Sequence, residues 1–457
     1  MPSLDLSKMT LSSCASSNDL ASVVDFVRSV KQQLVAAIGS SDTSPQAHPR
    51  LVIGNEAGDA DSILSAIGLS YLKALENASQ GDDGKELIVP IVSIPADSLK
   101  FQRPETTFLL ADCAGMENVK ADVNDLIAID QTELLPKRAT LTLTDHNVFR
   151  KKEGYEWIVT EIVDHHLDEE NHMDTCSPSK RTIAFDDSRA LVASTTTLIA
   201  EQFFASDNTS EMPPSLAILL LGTILLDSVN MDPKAGKGTP RDAAAIQRLL
   251  EETDWCQLTL PNEILALENG ENCENNPCAP DPMKLFQKLQ SAKFSPDFWN
   301  GLTAEQAIRM DFKSYSIPAT GSTSESSFGL GSILLGMDSF FQKHRDTLSQ
   351  TMARVMEEDQ SELLGLLFNT FGNDDQRRRQ IALASYDKQI LDKLIEYLTV
   401  DTITIPDLKI EVLHRQDESE ACSENGTLHI VRMEQRNVKA SRKQVAPILM
   451  DFFKTNR

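Results

Sequence analysis

Between residues 50 and 227 short apolar runs alternate with longer amphipathic segments. "RLVIGN" and "ELIVPIVSI" read as buried strands, and "DSILSAIGLSYLKALEN" between them as a helix capped by Asp61 or Ser62. Further apolar runs, "TTFLLAD", "DLIAID", "ATLTLTD" and "EIVD", predict strands, while "SRALVASTTTLIAEQFFAS" and "PPSLAILLLGTILLD" predict helices. Strands alternating with helices predict an α/β fold built on a doubly wound, mostly parallel sheet covered on both faces.

The pattern breaks at "ALENGENCENNPCAPDP" (266–282), which is rich in Asn, Pro, Glu and Gly and has no periodicity; it reads as a linker. Beyond it the chain predicts helices near 283–293 and 303–311, a Ser/Gly stretch and a long helical region over 337–368. Strands follow near "QIALAS" and "IEVLHR", then a last helix from Ser441. The expected organisation is an N-terminal extension (1–48) with one peripheral helical stretch, a first α/β domain (49–265), the linker, and a smaller second α/β domain (283–457).

Composition narrows the function. With 41% hydrophobic and 24% charged residues, the chain of 457 residues is that of a soluble globular protein. No apolar run is long enough to span a bilayer, and the N-terminus lacks the features of a signal or transit peptide. Seven scattered cysteines point to reduced thiols in the cytosol. Cys273 and Cys278 have no second Cys/His pair to complete a metal knuckle. A net charge of −25 argues against coating nucleic acid. An anionic substrate would need bound cations or a local basic cluster to overcome that field.

Candidates for both are present. "GNEAGDADS" places Asn55, Asp59 and Asp61 after the first strand, and carboxylates that close repel unless a cation lies between them. Such hard oxygen ligands suit Mg²⁺ or Mn²⁺; an acidic helix cap is the plainer alternative. "TLTLTDHN" ends a strand at Asp145, and "EIVDHH" ends another at Asp164–His165–His166. Asp227 closes a long apolar run, where an isolated charge is costly unless paired. A doubly wound sheet brings such strand ends to one edge, which favours a site for two divalent cations. The tail "RMEQRNVKASRKQ" sets Arg432, Arg436, Lys439, Arg442 and Lys443 against the single acid Glu434, a local reversal of sign suited to phosphate. "QRRRQ" (Arg377–Arg379) reads as a solvated surface run.

These residues, in this order, resemble the DHH phosphoesterase superfamily, over about Arg50 to Phe453. No glycine-rich motif of the nuclease-like branch is found. "SAKFSPDFWNGLTAEQAIRMDFKSY" and "ASRKQVAPIL" resemble instead the DHHA2 branch, which holds family II pyrophosphatases, cytosolic exopolyphosphatases and Prune-like proteins. Asn55, where the pyrophosphatases have His, and the retained His166 look most like the exopolyphosphatases.

The resemblance implies an active site in a cleft between a DHH domain and a DHHA2-like domain. Asp59 would hold one metal, Asp61, His165 and Asp227 the second, and Asp145 would bridge them. Asn55 would reshape the first metal site and weaken a manganese preference, leaving Mg²⁺ ahead of Mn²⁺ or Co²⁺. His166 would face the scissile phosphoryl group, oriented with His165 by Asp164, while Lys313, Arg442 and Lys443 would clamp phosphates. The implied reaction is release of orthophosphate from the end of inorganic polyphosphate. Its rivals are a pyrophosphatase or short-chain polyphosphatase, including nucleoside tetraphosphate cleavage, and a Prune-like scaffold with weak hydrolysis.

Overall fold

The computed structural model describes residues 20–39, 48–79, 86–120, 125–186, 189–206, 212–265, 278–317, 326–371, 376–399, 408–423 and 426–455. The chain divides into two compact units, Met1–Lys293 and Phe294–Arg457. Most of the expected linker, 266–277, lies outside the described residues, as does most of the extension 1–48.

The first unit is built on a six-stranded sheet. Its strands are β1 (Arg50–Ile53), β2 (Ile88–Val92), β3 (Ile127–Ala128), β4 (Arg138–Thr144), β5 (Glu156–Asp164) and β6 (Arg181–Ile183), in the order β3-β2-β1-β4-β5-β6. All pairings are parallel. The order reverses between β1 and β4, and a doubly wound sheet opens its ligand crevice at the strand carboxyl ends at such a point. A two-residue ribbon, β7 (Phe185–Asp186) with β8 (Arg189–Ala190), follows β6.

Helices α1 (Val23–Gly39), α2 (Ala60–Ser79), α3 (Ala96–Gln102), α4 (Pro104–Thr107), α5 (Thr195–Ala205), α6 (Pro214–Asp227), α7 (Pro240–Glu251) and α8 (Pro282–Lys293) complete this unit. The α6 sequence SLAILLLGTILL is buried throughout, which explains why its hydrophobicity has no stripe.

Two expectations are corrected here. "TTFLLAD" is not a strand: α4 runs into a π-helical turn, Phe108–Cys113, whose Leu109 packs against Gly222 of α6. A short apolar run fits a buried helix as well as a strand, and Pro104 at the first helical position starts the helix. Nor is the α1 stretch peripheral. Val23, Phe26, Val27, Val30 and Leu34 are buried in the unit's core, and the Val23 N–H donates to Ser215 Oγ at 3.1 Å. The Tyr71 hydroxyl also donates to the Leu20 carbonyl at 2.6 Å. Helix α8 likewise joins this core through Leu285, Phe286 and Leu289, so the division falls after it.

The second unit contains α9 (Pro296–Gly301), α10 (Ala304–Arg309), β9 (Phe312–Ile317), β10 (Ser326–Ile333), α11 (Met337–Lys343), α12 (Leu348–Glu358), β11 (Ser361–Phe371), β12 (Arg377–Ser385), α13 (Lys388–Thr399), β13 (Ile410–Ser423), β14 (Gly426–Gln435) and α14 (Arg442–Thr455). Its sheet has the order β13-β14-β12-β11-β10-β9, parallel only between β10 and β11. One face packs on α10–α12 and the other on α13 and α14. The single long helix expected over 337–368 is two helices and a strand. Gln360, in left-handed conformation at φ 52°, ends the helical stretch, and "SELLGLLFNTF" then runs as the central strand β11.

Candidate metal and phosphoryl-transfer site

The strand ends of the first unit converge as the sequence suggests. β4 finishes at Thr144, and Asp145 turns the chain in left-handed conformation (φ 61°), which Asp tolerates better than most residues. Its Oδ2 accepts from Asn55 Nδ2 and from Ser62 Oγ, both at 2.6 Å, so residues flanking the start of α2 hold this carboxylate across the switch point. The other oxygen, Oδ1, lies 3.4 Å from His165 Nε2 and 3.6 Å from His166 Nδ1.

Asp61, buried in the first turn of α2, is gripped by the start of α5. Ser194 Oγ and the Thr196 N–H donate to Oδ1 at 2.6 and 3.0 Å, and the Thr195 N–H donates to Oδ2 at 2.8 Å. A helix N-terminus favours an anion. Burial nevertheless pushes the Asp61 carboxyl well above the usual range, and the carboxylates of Asp145, Asp227 and Asp59 push it further. Asp227, the last residue of α6, is pushed up to about 6, first by burial, against the opposing pull of Lys293 and Lys237. Asp59 caps α2, accepting the Ser62 N–H at 3.1 Å.

Asp164 ends β5 and is fully buried. Its Oδ1 accepts the His165 N–H, the His166 N–H and His166 Nδ1–H at 2.8, 3.2 and 2.8 Å; its Oδ2 accepts from Asn147 Nδ2 at 2.7 Å. Burial alone would raise this carboxyl, but the His166 hydrogen bond and charge outweigh it and the net shift is downward. Burial lowers His166 in turn and favours its neutral ring. The two adjacent rings stand edge to face, 4.5 Å apart at 84°. His165 Nδ1–H donates to the Val192 carbonyl at 3.1 Å, which leaves the Nε2 lone pair aimed at Asp61 and Asp145. His166, bonded to Asp164 through Nδ1, keeps Nε2 for a ligand.

Asp145, His165 and His166 offer ligand atoms within 4.8 Å of one another. A buried acidic group next to an imidazole lone pair is a donor set that fits divalent cations. Asn55, expected at the first metal, has both ends of its amide engaged: Nδ2 with Asp145, and Oδ1 with the Ala57 N–H at 2.9 Å.

The second unit distributes the basic tail. Arg442, at the start of α14, donates to the Asp311 carbonyl and to Asp311 Oδ1 at 2.6 and 2.7 Å, and Lys313 follows two residues later at the start of β9. Lys443 is exposed. Arg436 pairs with Glu411, and Arg432 points to the opposite side of the sheet against Phe341. Arg377 and Arg378 are exposed, as expected for a surface run, but Arg379 is half-buried and donates from Nε to the Val438 carbonyl at 2.8 Å.

Asn147, Ser194 and Asp311 have no role in the sequence pattern, and Ser62, expected with Asp61 as a helix cap, instead holds Asp145 while Asp59 is the cap. The one visible signal was "ASTTT", a helix start able to bind an anion.

A carboxylate–histidine centre at the switch point of a doubly wound sheet, followed by a second α/β unit, defines a class of metal-using phosphoesterase. The chain matches the DHH family, N-terminal domain, over residues 50–224 and the DHHA2 domain over residues 287–452. It belongs to the DHH superfamily, in the branch that carries a DHHA2 domain. It is 28% identical over 404 residues to the human exopolyphosphatase PRUNE1, covering 88% of this chain and 75% of that one. A Schizosaccharomyces pombe protein assigned as an exopolyphosphatase is 26% identical over 419 residues, covering 88% of this chain and 90% of its own. A solved Methanococcus jannaschii chain, assigned as a family II inorganic pyrophosphatase, shares the fold with a TM-score of 0.51 at 20% identity. That match covers 89% of this chain and 99% of the other. Among the described residues no helix is long and apolar enough to cross a membrane.

Proposed function

We propose that the chain is a metal-dependent exopolyphosphatase acting in the cytosol. The observation that carries this is the pairing of His165, its Nε2 turned to Asp61 and Asp145, with His166, held by Asp164 and only 28% exposed at its side chain. One ring serves the cation site and its neighbour the substrate. The family membership and the exopolyphosphatase names of its relatives support the substrate class.

Asp59, Asp61, Asp145, His165 and Asp227 would hold two divalent cations, with Mg²⁺ the first choice over Mn²⁺ or Co²⁺. Cations seated there supply positive charge to the reacting phosphoryl group and lower the pKa of an attacking water. We assign Asn55 to positioning: with Ser62 it fixes Asp145 Oδ2 and presents Oδ1 to the site. A bound polyanion would favour the protonated ring of His166, which keeps Nδ1–H on Asp164 and would donate Nε2–H to the terminal phosphoryl oxygens, where charge gathers as the bond to the leaving polyphosphate breaks. Lys313, Arg442 and Lys443 are the proposed phosphate contacts of the second unit, and Asp311 holds the Arg442 fork ready.

The test is phosphate release from pyrophosphate, tripolyphosphate and long polyphosphate, each with Mg²⁺, Mn²⁺ or Co²⁺. Turnover of long chains from their ends supports the proposal. Turnover of pyrophosphate alone replaces it with a pyrophosphatase, and no turnover with any metal leaves a binding protein.

A further inference from the structure

We propose that the second unit also carries a binding site for a small organic phosphate, centred on Arg432. Along β14, Leu428 and Ile430 join the core beneath α11 and α12, whereas Val431 and Met433 join the core beneath α13 and α14. Arg432 shares the face of Ile430, since side chains alternate along a strand. The α14 start, with Arg442 and Lys443, packs its helix on the other face. The Arg432 site is therefore distinct from the proposed phosphate contacts and does not depend on the hydrolase reading.

The observation behind it is an under-satisfied guanidinium. The Arg432 side chain is only 20% exposed, and its Nε is buried without a hydrogen bond among the described residues. Its Cζ lies 4.9 Å from the centre of the Phe341 ring. The nearest carboxylate, Asp338, stands 3.6 Å away, beyond hydrogen-bond reach, and is 85% exposed. A solvated pair at that distance contributes little, while a buried donor left without an acceptor is costly. Arginine supplies five donors in a planar fork that matches phosphate.

The surroundings identify the kind of ligand. Arg432 lines a cavity of about 290 Å³ whose other walls include Phe341, Leu348 and Ile430 on the apolar side and Arg345 and Ser349 on the polar side. Among the described residues Arg345 forms an ion pair only with the highly exposed Asp346, at 3.3 Å, and can turn to an incoming anion. The two guanidiniums face the cavity, whereas their acids, Asp338 and Asp346, are 85% and 84% exposed and direct their charge largely to solvent. Inorganic phosphate would fill the polar end and leave the apolar wall bare. A phosphate joined to a flat, largely apolar body uses both, and the cavity sits near the low end of the roughly 300–1,000 Å³ typical of small-molecule sites. A nucleoside monophosphate has that size and chemistry.

Calorimetric titration of the full chain with adenosine monophosphate tests the assignment. This probe has no phosphoanhydride bond, so hydrolysis does not enter. Saturable binding is expected, weakened at least tenfold in Arg432→Gln and several-fold in Arg432→Lys, which keeps the charge but loses the fork. Arg436→Gln, altering a surface pair with Glu411, should bind as the parent does. Melting temperatures report whether the variants fold; if Arg432→Gln does not, Arg432→Lys decides. The proposal is overturned by absence of binding at millimolar nucleotide, or by unchanged affinity in a folded Arg432 variant. Inorganic phosphate binding as tightly as the nucleotide would overturn the organic class.

Discussion

Asp145 concentrates the chemistry of the first unit in one carboxylate. One oxygen is tied to Asn55 and Ser62, and the other faces both histidines. Asp145→Asn should abolish turnover and leave the melting temperature nearly unchanged, because an amide cannot balance two cations. A folded variant retaining more than a few per cent of activity, measured as phosphate release, would remove Asp145 from that role. Asn55→His exchanges a positioning amide for an imidazole and should shift metal activation toward Mn²⁺. An unchanged activation profile would count against any link between Asn55 and the cation site. The acids and histidines were legible because charge placed after an apolar run is conspicuous. Ser62, Asn147 and Ser194 were not, because their partners lie 83, 17 and 133 residues away. A hydroxyl or amide declares no partner until the chain is folded.

Elements with a clear period were readable, whereas short unbroken apolar runs were read correctly in some places (β1 and β2) and wrongly in others. β1, α2, β4 and β5 follow their sequence patterns, whereas "TTFLLAD" became a helix and "SELLGLLFNTF" a strand. Length and periodicity do not separate those states; the neighbours do, with Leu109 seated on Gly222 and Gly365 against Leu330. The junction of β1 and α2 is equally a matter of fit. A Cβ on Gly54 would collide with the backbone carbonyl of Ser62, which has no freedom to move because it belongs to α2. Gly54→Ala should destabilise the first unit by about 1–3 kcal/mol in urea unfolding. It should also reduce turnover, since Ser62 carries the hydroxyl that holds Asp145. Wild-type stability in this variant would show that the junction relaxes freely.

At the scale of the molecule, buried carboxylates make the stability of the metal-free chain depend on pH in an unusual sense. Asp227 is pushed up to about 6 by burial, above its ordinary 3.8, and Asp61 is raised as well. Between those values the native chain holds a proton on these acids that the unfolded chain releases, so their contribution to stability should fall as pH rises from about 4 through 6. That fall is opposed by His166, His172 and His344, which burial lowers from 6.5; Asp227→Asn, which removes one of the two acids, should flatten it. Melting of the chelated protein across that range checks the sign, and added Mg²⁺ should restore stability above it. The same profile in the parent and in Asp227→Asn would mean that Asp227 is relieved without cations. Arg442→Ala and Lys443→Ala test whether the second unit acts on the same substrate. Each should lower kcat/KM by roughly tenfold to a thousandfold, about 1.4–4 kcal/mol of transition-state binding. Arg377→Ala and Arg378→Ala, on the exposed strand run, should change it little. Crippled Arg377 and Arg378 variants beside normal Arg442 and Lys443 variants would move the phosphate contacts to that run. The division of the chain was only partly legible: α1 looked peripheral and the 283–293 helix was expected in the second domain, whereas both join the first unit through buried faces.

The grip of α5 on Asp61 spans 133 to 135 residues of chain, and the Asn55 bond to Asp145 spans 90. Contacts so distant in sequence close late, because loop entropy must be overcome before they form. Partly folded chains therefore lack a competent cation site even when their helices are in place. Cation affinity becomes a gauge of completed assembly: during refolding, metal uptake should lag behind recovery of helical signal and coincide with protection of the Thr195 and Thr196 amides from hydrogen exchange.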